Sequence, residues 1–304
     1  HFQEIFSQRI FKFEFFIKAV NDLSLEVPKG SIYGFIGPNG SGKTTTIRMI
    51  MKIMYPDRGK LLVNGQETNL ERLKDVGYLP EDRGLYKKMK IGELLQFHGE
   101  LNNGTDLPNR IDYWLERLEL KAYKEKKVET LSKGMRQKLQ FIATILHQPG
   151  LIILDEPFSG LDPVNADMMK DIILELQQKG ATIIFSTHDM AMAERMCDYI
   201  FMIYQGKKVL DGTLDHIQDQ YGNDTLRIQS ELGTEALKEI KGIQNVNNFG
   251  KLQEIRLEEG VDPQKILAEV LKKTRISKFE ITKPSLNDIF IRIASPERKE
   301  AGNE

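Results

Sequence analysis

The segment Gly37-Pro38-Asn39-Gly40-Ser41-Gly42-Lys43-Thr44 gives the strongest indication of the fold. It matches the pattern G-x-x-x-x-G-K-[ST], in which backbone N–H groups and the start of a helix surround phosphate oxygens. A short apolar segment, Ser31 to Ile36, precedes it and is predicted to be a strand. A helix is predicted from Lys43 to Met54, because the chain reaches Pro56 shortly afterwards. Strand, glycine-rich loop and helix together predict a phosphate-binding loop.

Two side chains of this loop have the chemistry that a bound nucleotide requires. Lys43 would neutralise the β- and γ-phosphates, and the Thr44 hydroxyl would help to hold Mg²⁺. The residues predicted to contact the nucleotide here are Gly37, Pro38, Asn39, Gly40, Ser41, Gly42, Lys43, Thr44 and Thr45.

A pair of carboxylates follows a second apolar segment. Leu151-Ile152-Ile153-Leu154 is predicted to be a buried strand, and Asp155 and Glu156 come directly after it. Ligands of α/β sheets bind at the carboxyl ends of the strands. Asp155 is therefore predicted to orient Mg²⁺, and Glu156 to polarise the attacking water. Two acids after a strand are more often a helix N-cap or a solvated turn, and the phosphate loop in the same chain is what favours the catalytic interpretation.

The remaining pattern up to residue 220 predicts an α/β domain. Residues 182–185 form another short apolar run, and a helical stretch near 164–178 separates it from the strand before Asp155, as in buried parallel sheets. Residues 91–101 and 108–120 have helical periodicity, with Trp114 expected in the core. Strands and a turn are predicted between Phe11 and Gly30. The predicted domain spans residues 1–220, with a helical subdomain at about 84–148.

A second pattern begins after residue 220. It predicts strands at 225–230, 243–258 and 276–282, and helices at 234–240 and 263–273. This alternation predicts a small α+β accessory domain at residues 221–304.

Composition restricts the possible functions. The 304 residues include 43 Lys and Arg against 44 Asp and Glu, so no global charge would gather nucleic acid. The single cysteine, Cys197, cannot form an internal disulfide, which favours a reducing compartment. The longest apolar runs are far shorter than the ~20 residues of a membrane-spanning helix, and the first residues lack the features of a secretory signal. We expect a cytoplasmic protein that is peripheral on the inner face of the cell membrane.

A third motif, Leu131-Ser132-Lys133-Gly134-Met135, precedes the strand that ends in the two acids. Ser132, the Gly134 N–H and the following helix N-terminus can bind an anion, although a plain helix cap at Ser132 is the alternative. In this context the sequence resembles the ABC ATPase family. Ser159-Gly160-Leu161-Asp162 is similar to the D-loop of that family, and His188 to its switch histidine. The resemblance implies that Ser132, Gly134 and Asp162 contact nucleotide and that His188 contacts the γ-phosphate.

The sequence departs from the family pattern in two places. Met135 replaces the usual Gln of the signature, and Tyr78-Leu79-Pro80-Glu81 has Glu81 where the Q-loop commonly has Gln. A Glu81 oxygen can still meet Mg²⁺ or its water, but the amide donors are lost. The alternative is that Glu81 is a solvated loop acid.

The resemblance also implies partners. ABC ATPases stack adenine on an aromatic residue upstream of the phosphate loop. Phe13 is the predicted adenine contact, and Phe15 is the alternative. The segment after the Q-loop borders the groove for the permease, so Gly84, Leu85 and Tyr86 are expected to contact it. Each ATP lies between the phosphate loop of one subunit and the signature of another, so the chain is expected to pair with a second ATPase subunit, most simply as a homodimer.

The function implied is that of an ATP-hydrolysing subunit of an ABC transporter. Pro284 to Phe290 and Glu81 to Tyr86 resemble bacterial ABC-2-type export ATPases, a subgroup that includes sodium exporters, so export is expected. The alternative is a soluble ABC ATPase acting on ribosomes or DNA, against which stand the absence of a basic stripe and of a heptad arm. A GTP-binding switch would require an Asn-Lys-x-Asp segment, which the sequence lacks.

Overall fold

The computed structural model describes residues 19–63, 66–67, 72–81, 84–221, 224–250, 252–258 and 260–300. No helix within these ranges is long and apolar enough to cross a membrane.

A six-stranded sheet carries the first part of the chain. In spatial order its strands are β4 (Val76–Leu79), β5 (Leu151–Asp155), β6 (Thr182–Thr187), β1 (Ile32–Ile36), β7 (Tyr199–Tyr204) and β8 (Lys207–Thr213). The first five run parallel and β8 is antiparallel to β7. The parallel strands are short, continuously apolar and buried on both faces, as the sequence predicted. A two-stranded hairpin, β2 (Leu62–Val63) and β3 (Gln66–Glu67), lies apart from this sheet.

Among the described residues, seven α-helices accompany this sheet: α1 (Lys43–Ile50), α2 (Ile91–Leu101), α3 (Leu107–Arg117), α4 (Lys133–Ile145), α5 (Pro163–Gln178), α6 (Met190–Met196) and α7 (Leu214–Gln220). Alternate residues of each strand face opposite sides, so two apolar layers form. Tyr33 and Phe35 pack with Ile47 of α1 on one face. On the other face, Ile32 and Leu154 share a core with the helical insertion, including Trp114.

Two local predictions for this part differ from the structure. Residues 19–27 form no regular strand, although Leu23, Leu25 and Val27 still pack on the core of the α1 face. Helix α1 ends at Ile50 instead of Met54, because Lys52 takes a left-handed conformation with φ 54°. The Ile53 N–H then donates to the Arg48 carbonyl over 2.9 Å, which closes the helix with a Schellman-type turn.

A four-stranded antiparallel sheet, in the order β10-β11-β9-β12, carries the second part. Its elements are β9 (Thr225–Ser230), α8 (Thr234–Lys238), β10 (Ile243–Phe249), β11 (Leu252–Leu257), α9 (Pro263–Lys273) and β12 (Ile276–Thr282). Leu226, Ile228, Ile255 and Val270 belong to a separate apolar core. The strand and helix predictions for 225–282 agree closely with these bounds.

A last helix, α10 (Leu286–Glu300), was not predicted. It does not pack into the core of the second sheet. Leu286 and Ile289 instead join a cluster with Ile36 of β1, Ala193 of α6 and Ile200 of β7. The first two turns of α10 therefore return to the first sheet.

Candidate nucleotide hydrolysis site

The site lies where three neighbouring parallel strands end. In the register of the sheet, Asp155 of β5 lies beside Ser186 of β6, and Thr187 lies beside Ile36 of β1. The loop after Ile36, the acids of β5 and the segment after β6 therefore emerge at one edge. This is the edge at which α/β sheets bind ligands.

The loop of residues 37–44 is closely packed against its surroundings. A Cβ at position 37 would collide with the Ile203 carbonyl oxygen, and one at position 42 would lie 2.5 Å from the Ala19 carbonyl oxygen. Gly42 also has a φ of 111°, which side chains rarely permit. Glycine at these two positions lets the backbone wind tightly into the start of α1, where helix N–H groups can meet phosphate.

The Lys43 side chain is folded back over this loop. Its Nζ donates to the Gly37 carbonyl over 2.8 Å and to the Pro38 carbonyl over 3.1 Å, and the residue is only 6% exposed. Burial lowers the Lys43 pKa, while the carboxylates of Glu156, Asp155 and Glu81 oppose that shift. Three predicted site acids thus lie within electrostatic range of one ammonium.

Asp155 is fully buried beneath the loop. Its Oδ1 accepts a hydrogen bond from Thr44 Oγ1 over 3.3 Å and another from Ser186 Oγ. Among the described residues, neither its Oδ2 nor the buried Ser41 Oγ has a hydrogen-bond partner. Buried polar atoms are nearly always satisfied, so these two oxygens are suited to meet a bound ligand.

Glu156 takes a left-handed backbone conformation, with φ 49°. Such a conformation costs about 1–3 kcal/mol in a non-glycine residue and is common in active sites. The Glu156 N–H donates to Ser186 Oγ over 3.1 Å, which holds the residue against β6. Its Oε1 lies 2.9 Å from His188 Nδ1. Because an ionised carboxylate only accepts, this contact requires a proton on Nδ1.

Glu81 follows β4 and is exposed. Its influence on the Lys43 pKa places it at the same edge of the sheet. The part of the chain that the structure describes contains no group of three or more His, Cys, Asp or Glu arranged to hold a metal. A metal at this edge would therefore depend on hydroxyl, water or phosphate oxygens as well as carboxylates.

The signature segment lies against the D-loop of its own chain. Ser132 is exposed and caps α4, its Oγ accepting the Met135 N–H over 3.2 Å. A Cβ on Gly134 would lie 3.8 Å from the Gly160 carbonyl oxygen. Asp162 caps α5 through the Asn165 N–H, and this bond lowers its pKa. No hydrogen bond between described residues joins the signature to the phosphate loop, so the predicted nucleotide contacts fall into two separate groups.

The predicted permease contacts lie beyond Glu81. Gly84 and Tyr86 are exposed, and Leu85 is half-buried against the core that contains Trp114. The Tyr86 ring meets the Phe97 ring edge to face, with centroids 6.0 Å apart. Phe13, the predicted adenine contact, lies outside the described residues.

Two residues of this region were not predicted from the sequence. Ser186 bonds both Asp155 and the Glu156 N–H, and Gln137 of α4 donates to the Pro157 carbonyl over 2.7 Å. Pairing the ends of the two predicted parallel strands would have placed Ser186 beside Asp155. No sequence signal distinguishes Gln137 from an ordinary helix residue.

The parallel sheet, the phosphate loop and the buried Asp155 beside Glu156 define the class of the protein as a P-loop nucleotide hydrolase. Comparison with known proteins defines the family more closely.

Residues 20–159 match the family described as ABC transporter, and residues 212–294 match the DrrA1-3-like ATP-binding protein C-terminal domain. An ABC transporter ATP-binding protein of Alkalihalophilus pseudofirmus is 40% identical over 258 residues, covering 84% of this chain and 97% of the relative. The bacitracin transport ATP-binding protein BcrA of Bacillus licheniformis is 31% identical over 284 residues, covering 91% and 92%. A solved ATP-binding subunit of an ABC transporter, 33% identical, superposes with a TM-score of 0.64 and covers 67% of this chain and 87% of that one.

The chain belongs to the ABC transporter family, as an ATP-binding subunit that hydrolyses ATP to power transport. This membership confirms the transporter interpretation over a soluble ABC ATPase or a GTP-binding switch. The match at residues 212–294 also confirms the resemblance to the subgroup with a C-terminal accessory domain.

Proposed function

We propose that this chain powers export through a separate transmembrane permease, working as a homodimer on the cytoplasmic face of the membrane. The observation that carries the catalytic part is the convergence of Asp155, Glu156 and Lys43 at one edge of the sheet. Export is supported by the relative named for bacitracin transport and by the DrrA1-3-like C-terminal match.

In this proposal the loop 37–44 and Thr45 hold the phosphates of ATP. Lys43 leaves the Gly37 and Pro38 carbonyls and turns to the β- and γ-phosphates, a short movement because it already lies over the loop. Burial of Lys43 strengthens its attraction to phosphate, since water screens the charge less.

The donor set also fits Mg²⁺. Thr44 Oγ1 and Asp155 are hydrogen-bonded neighbours, and Asp155 Oδ2 is buried without a partner. Hydroxyl and carboxylate oxygens are the ligands that Mg²⁺ prefers. Thr44, Asp155 and Glu81 would hold the ion directly or through its water. When bound, Mg²⁺ neutralises charge on the phosphates.

Glu156 is proposed as the general base. It would accept a proton from the water that attacks the γ-phosphate, and His188 would contact the γ-phosphate from the neighbouring strand end. Two features support this pairing. Their side chains lie 2.9 Å apart, and Glu156 has a strained left-handed backbone of the kind that is common in active sites.

A second copy completes each site in this proposal. Ser132, Gly134 and Asp162 contact the ATP held by the phosphate loop of the other chain, giving two symmetric composite sites. The exposed Ser132 hydroxyl, at the start of α4, offers a hydrogen bond and a helix N-terminus to the γ-phosphate. Phe13 remains the predicted adenine contact.

The permease is proposed to bind near Gly84, Leu85 and Tyr86. The exposed Tyr86 ring, packed against Phe97, supplies an aromatic surface five residues after Glu81 in the chain. This segment would connect permease movement to the nucleotide site. We also propose that residues 1–220 are the ATPase domain, with its helical subdomain at about 84–148, and that 221–304 are the accessory domain. Two separate sheets and the two family matches support this division.

Replacing Glu156 with Gln tests the catalytic proposal. The change keeps the shape and removes the base, so ATP turnover should fall about 10²- to 10⁴-fold. ATP affinity should change little, because binding uses Lys43, Thr44 and backbone groups. Turnover by phosphate release and affinity by calorimetry separate the two effects. Near-normal turnover of the variant would contradict the assignment of Glu156.

A further inference from the structure

Helix α10 connects the accessory sheet to the ATPase sheet. Its apolar residues Leu286 and Ile289 are fully buried beside Ile36, the last residue before the phosphate loop. The Phe290 ring meets Tyr204 of β7 edge to face, with centroids 5.5 Å apart. One side of α10 is thus part of the ATPase core.

The polar side of α10 is bonded to the accessory sheet. Arg292 pairs with Asp288 of the same helix over 2.6 Å and with Asp224, just before β9, over 3.2 Å. Asn247 of β10 donates to Asp288 Oδ1 over 3.4 Å. The Arg292 and Asp288 side chains are only 9% exposed, so breaking this network would leave buried charges unpaired. A displacement of the accessory sheet would therefore move α10.

Glu194 joins α10 to helix α6. Its Oε1 accepts the N–H of Leu286, the first helical residue of α10. N–H groups in the first turn of a helix have no acceptor within the helix, and a carboxylate there is favoured by the helix dipole. Burial raises the Glu194 pKa, and the nearby Arg227 of β9 opposes that shift. Glu194 thus bonds the first turn of α10 directly and lies within electrostatic range of Arg227 in the accessory domain.

Helix α6 leads directly back to His188. Asp189 caps the helix, accepting the Met192 N–H over 2.9 Å, and its own N–H donates to Thr187 Oγ1 over 3.0 Å. His188 lies in the chain between Thr187 and Asp189, which are hydrogen-bonded to each other. The helix has seven residues, and it spans about 10 Å at 1.5 Å per residue, too short to absorb a shift by bending.

A cavity of about 420 Å³ separates the two domains beside this connection. One wall is formed by residues 188–191 and Glu194, and the other includes Arg227 and Glu254, an ion pair of 3.0 Å. His188 thus faces the accessory domain across open space, and the Glu194 to Leu286 bond joins the two sides.

We propose that Glu194 is a positioning residue for ATP hydrolysis, which ties α6 and His188 to the first turn of α10. Through this bond the accessory domain sets the place of His188 relative to Glu156. The inference rests on the proposed roles of His188 and Glu156.

The test uses the purified full chain and measures kcat and KM for ATP. Glu194→Ala removes the acceptor, and its kcat should fall about 5- to 50-fold with KM nearly unchanged, because misplacing a catalytic group by about 1 Å can cost up to 10²-fold. Glu194→Gln keeps an oxygen for the Leu286 N–H and should restore most of kcat. Glu239→Ala, at an exposed position of the accessory domain, is the matched control and should behave as wild type.

A double-mutant cycle separates positioning from general destabilisation. If Glu194 acts through His188, Glu194→Ala should add little to the loss already caused by His188→Ala. Glu194→Asp, which keeps the charge but shortens the side chain, is the second variant should Glu194→Ala fail to fold, and it should show the same loss of kcat.

Several outcomes would overturn the proposal. Wild-type kcat in Glu194→Ala or Glu194→Asp, no rescue by Gln, or fully additive losses with His188→Ala would each do so. Near-normal kcat in His188→Ala would instead refute the proposed catalytic role of His188, and this inference with it. Impaired His188→Ala with unimpaired Glu194→Ala would overturn the positioning role alone.

Discussion

The phosphate loop and the signature segment bind the same nucleotide in the proposed mechanism, yet their surroundings differ. In the phosphate loop the side chains of Lys43 and Ser41 are buried, at 6% and 3% exposure, with Asp155 beneath them, while Asn39 and Gly40 are exposed. The signature is open, and the hydroxyl of the exposed Ser132 serves only to cap its own helix. The first group is prepared for a ligand within one chain.

This difference indicates that the phosphate loop and the signature segment have different roles in binding and hydrolysis. Among the described residues, Ser41 Oγ of the phosphate loop and Asp155 Oδ2 beneath it are buried without a hydrogen-bond partner. A ligand would satisfy them, so this group should bind ATP without a second chain. Ser132 gains a second role only when another surface approaches it. Binding should therefore depend on the first group and hydrolysis on both.

The largest effect is expected for Lys43→Ala. Loss of a charged hydrogen-bond donor should weaken ATP binding about 10- to 100-fold, and hydrolysis should fall by about 10³ or more, because the charge developing on the phosphates loses its partner. Lys60→Ala, at an exposed position of the ATPase domain, is the control. Calorimetry and phosphate release measure both effects. Wild-type ATP affinity in the Lys43 variant would contradict the expectation that ATP binding depends on the phosphate loop more than on the signature segment.

Ser132→Asp should give the next largest effect. Aspartate caps a helix as well as serine does, so α4 should remain stable, but its charge would repel the γ-phosphate of the ATP on the other chain. Turnover should fall about 10²-fold, since opposed like charges cost several kcal/mol. ATP affinity of the single chain should not change. Ser132→Asn, a neutral cap, is the matched control and should lose much less turnover; an equal loss in both variants would argue that only the helix cap matters.

Glu81→Ala should have the smallest effect, because the exposed Glu81 would supply only one of several oxygens of the proposed Mg²⁺ site. The variant should retain ATP binding and lose about 3- to 10-fold in ATPase stimulation by the permease and in transport, the size of one modest hydrogen bond. Glu81→Gln keeps an oxygen and should lie closer to wild type. Unaltered stimulation and transport in the purified Glu81→Ala transporter would refute the assignment.

Much of the fold could be predicted from the sequence. Apolar runs such as Leu151 to Leu154 are buried strands because parallel sheets are covered on both faces, and β9 and α9 begin and end where the periodicity changes. Residues 19–27 show why side-chain alternation alone does not predict a strand. Leu23, Leu25 and Val27 point towards the core in alternation, but within the described residues the backbone of this segment forms no regular ladder of strand hydrogen bonds. Helix α10 was missed although Ser285 and Asp288 form a capping pattern ahead of apolar residues at 286, 289, 290 and 293.

The site was less predictable in its geometry. Motif spacing identified Lys43, Asp155 and Glu156, because phosphate and metal binding require those residue types there. The left-handed backbone of Glu156, the Ser186 bonds and the Glu194 contact depend on strand register and on the return of α10 to the first sheet, which are tertiary features. No short-range pattern encodes them.

The composite site can be tested by the molar mass of Glu156→Gln, measured by light scattering after size exclusion with Mg²⁺ and ATP. A hydrolysis-deficient chain that shares ATP between two copies should appear at twice the 34.9 kDa of a single chain when ATP is present. Adding Ser132→Asp to the same chain should return the mass to 34.9 kDa while ATP still binds. A single-chain mass for Glu156→Gln with ATP bound, or a dimer that persists with Ser132→Asp, would contradict the composite site.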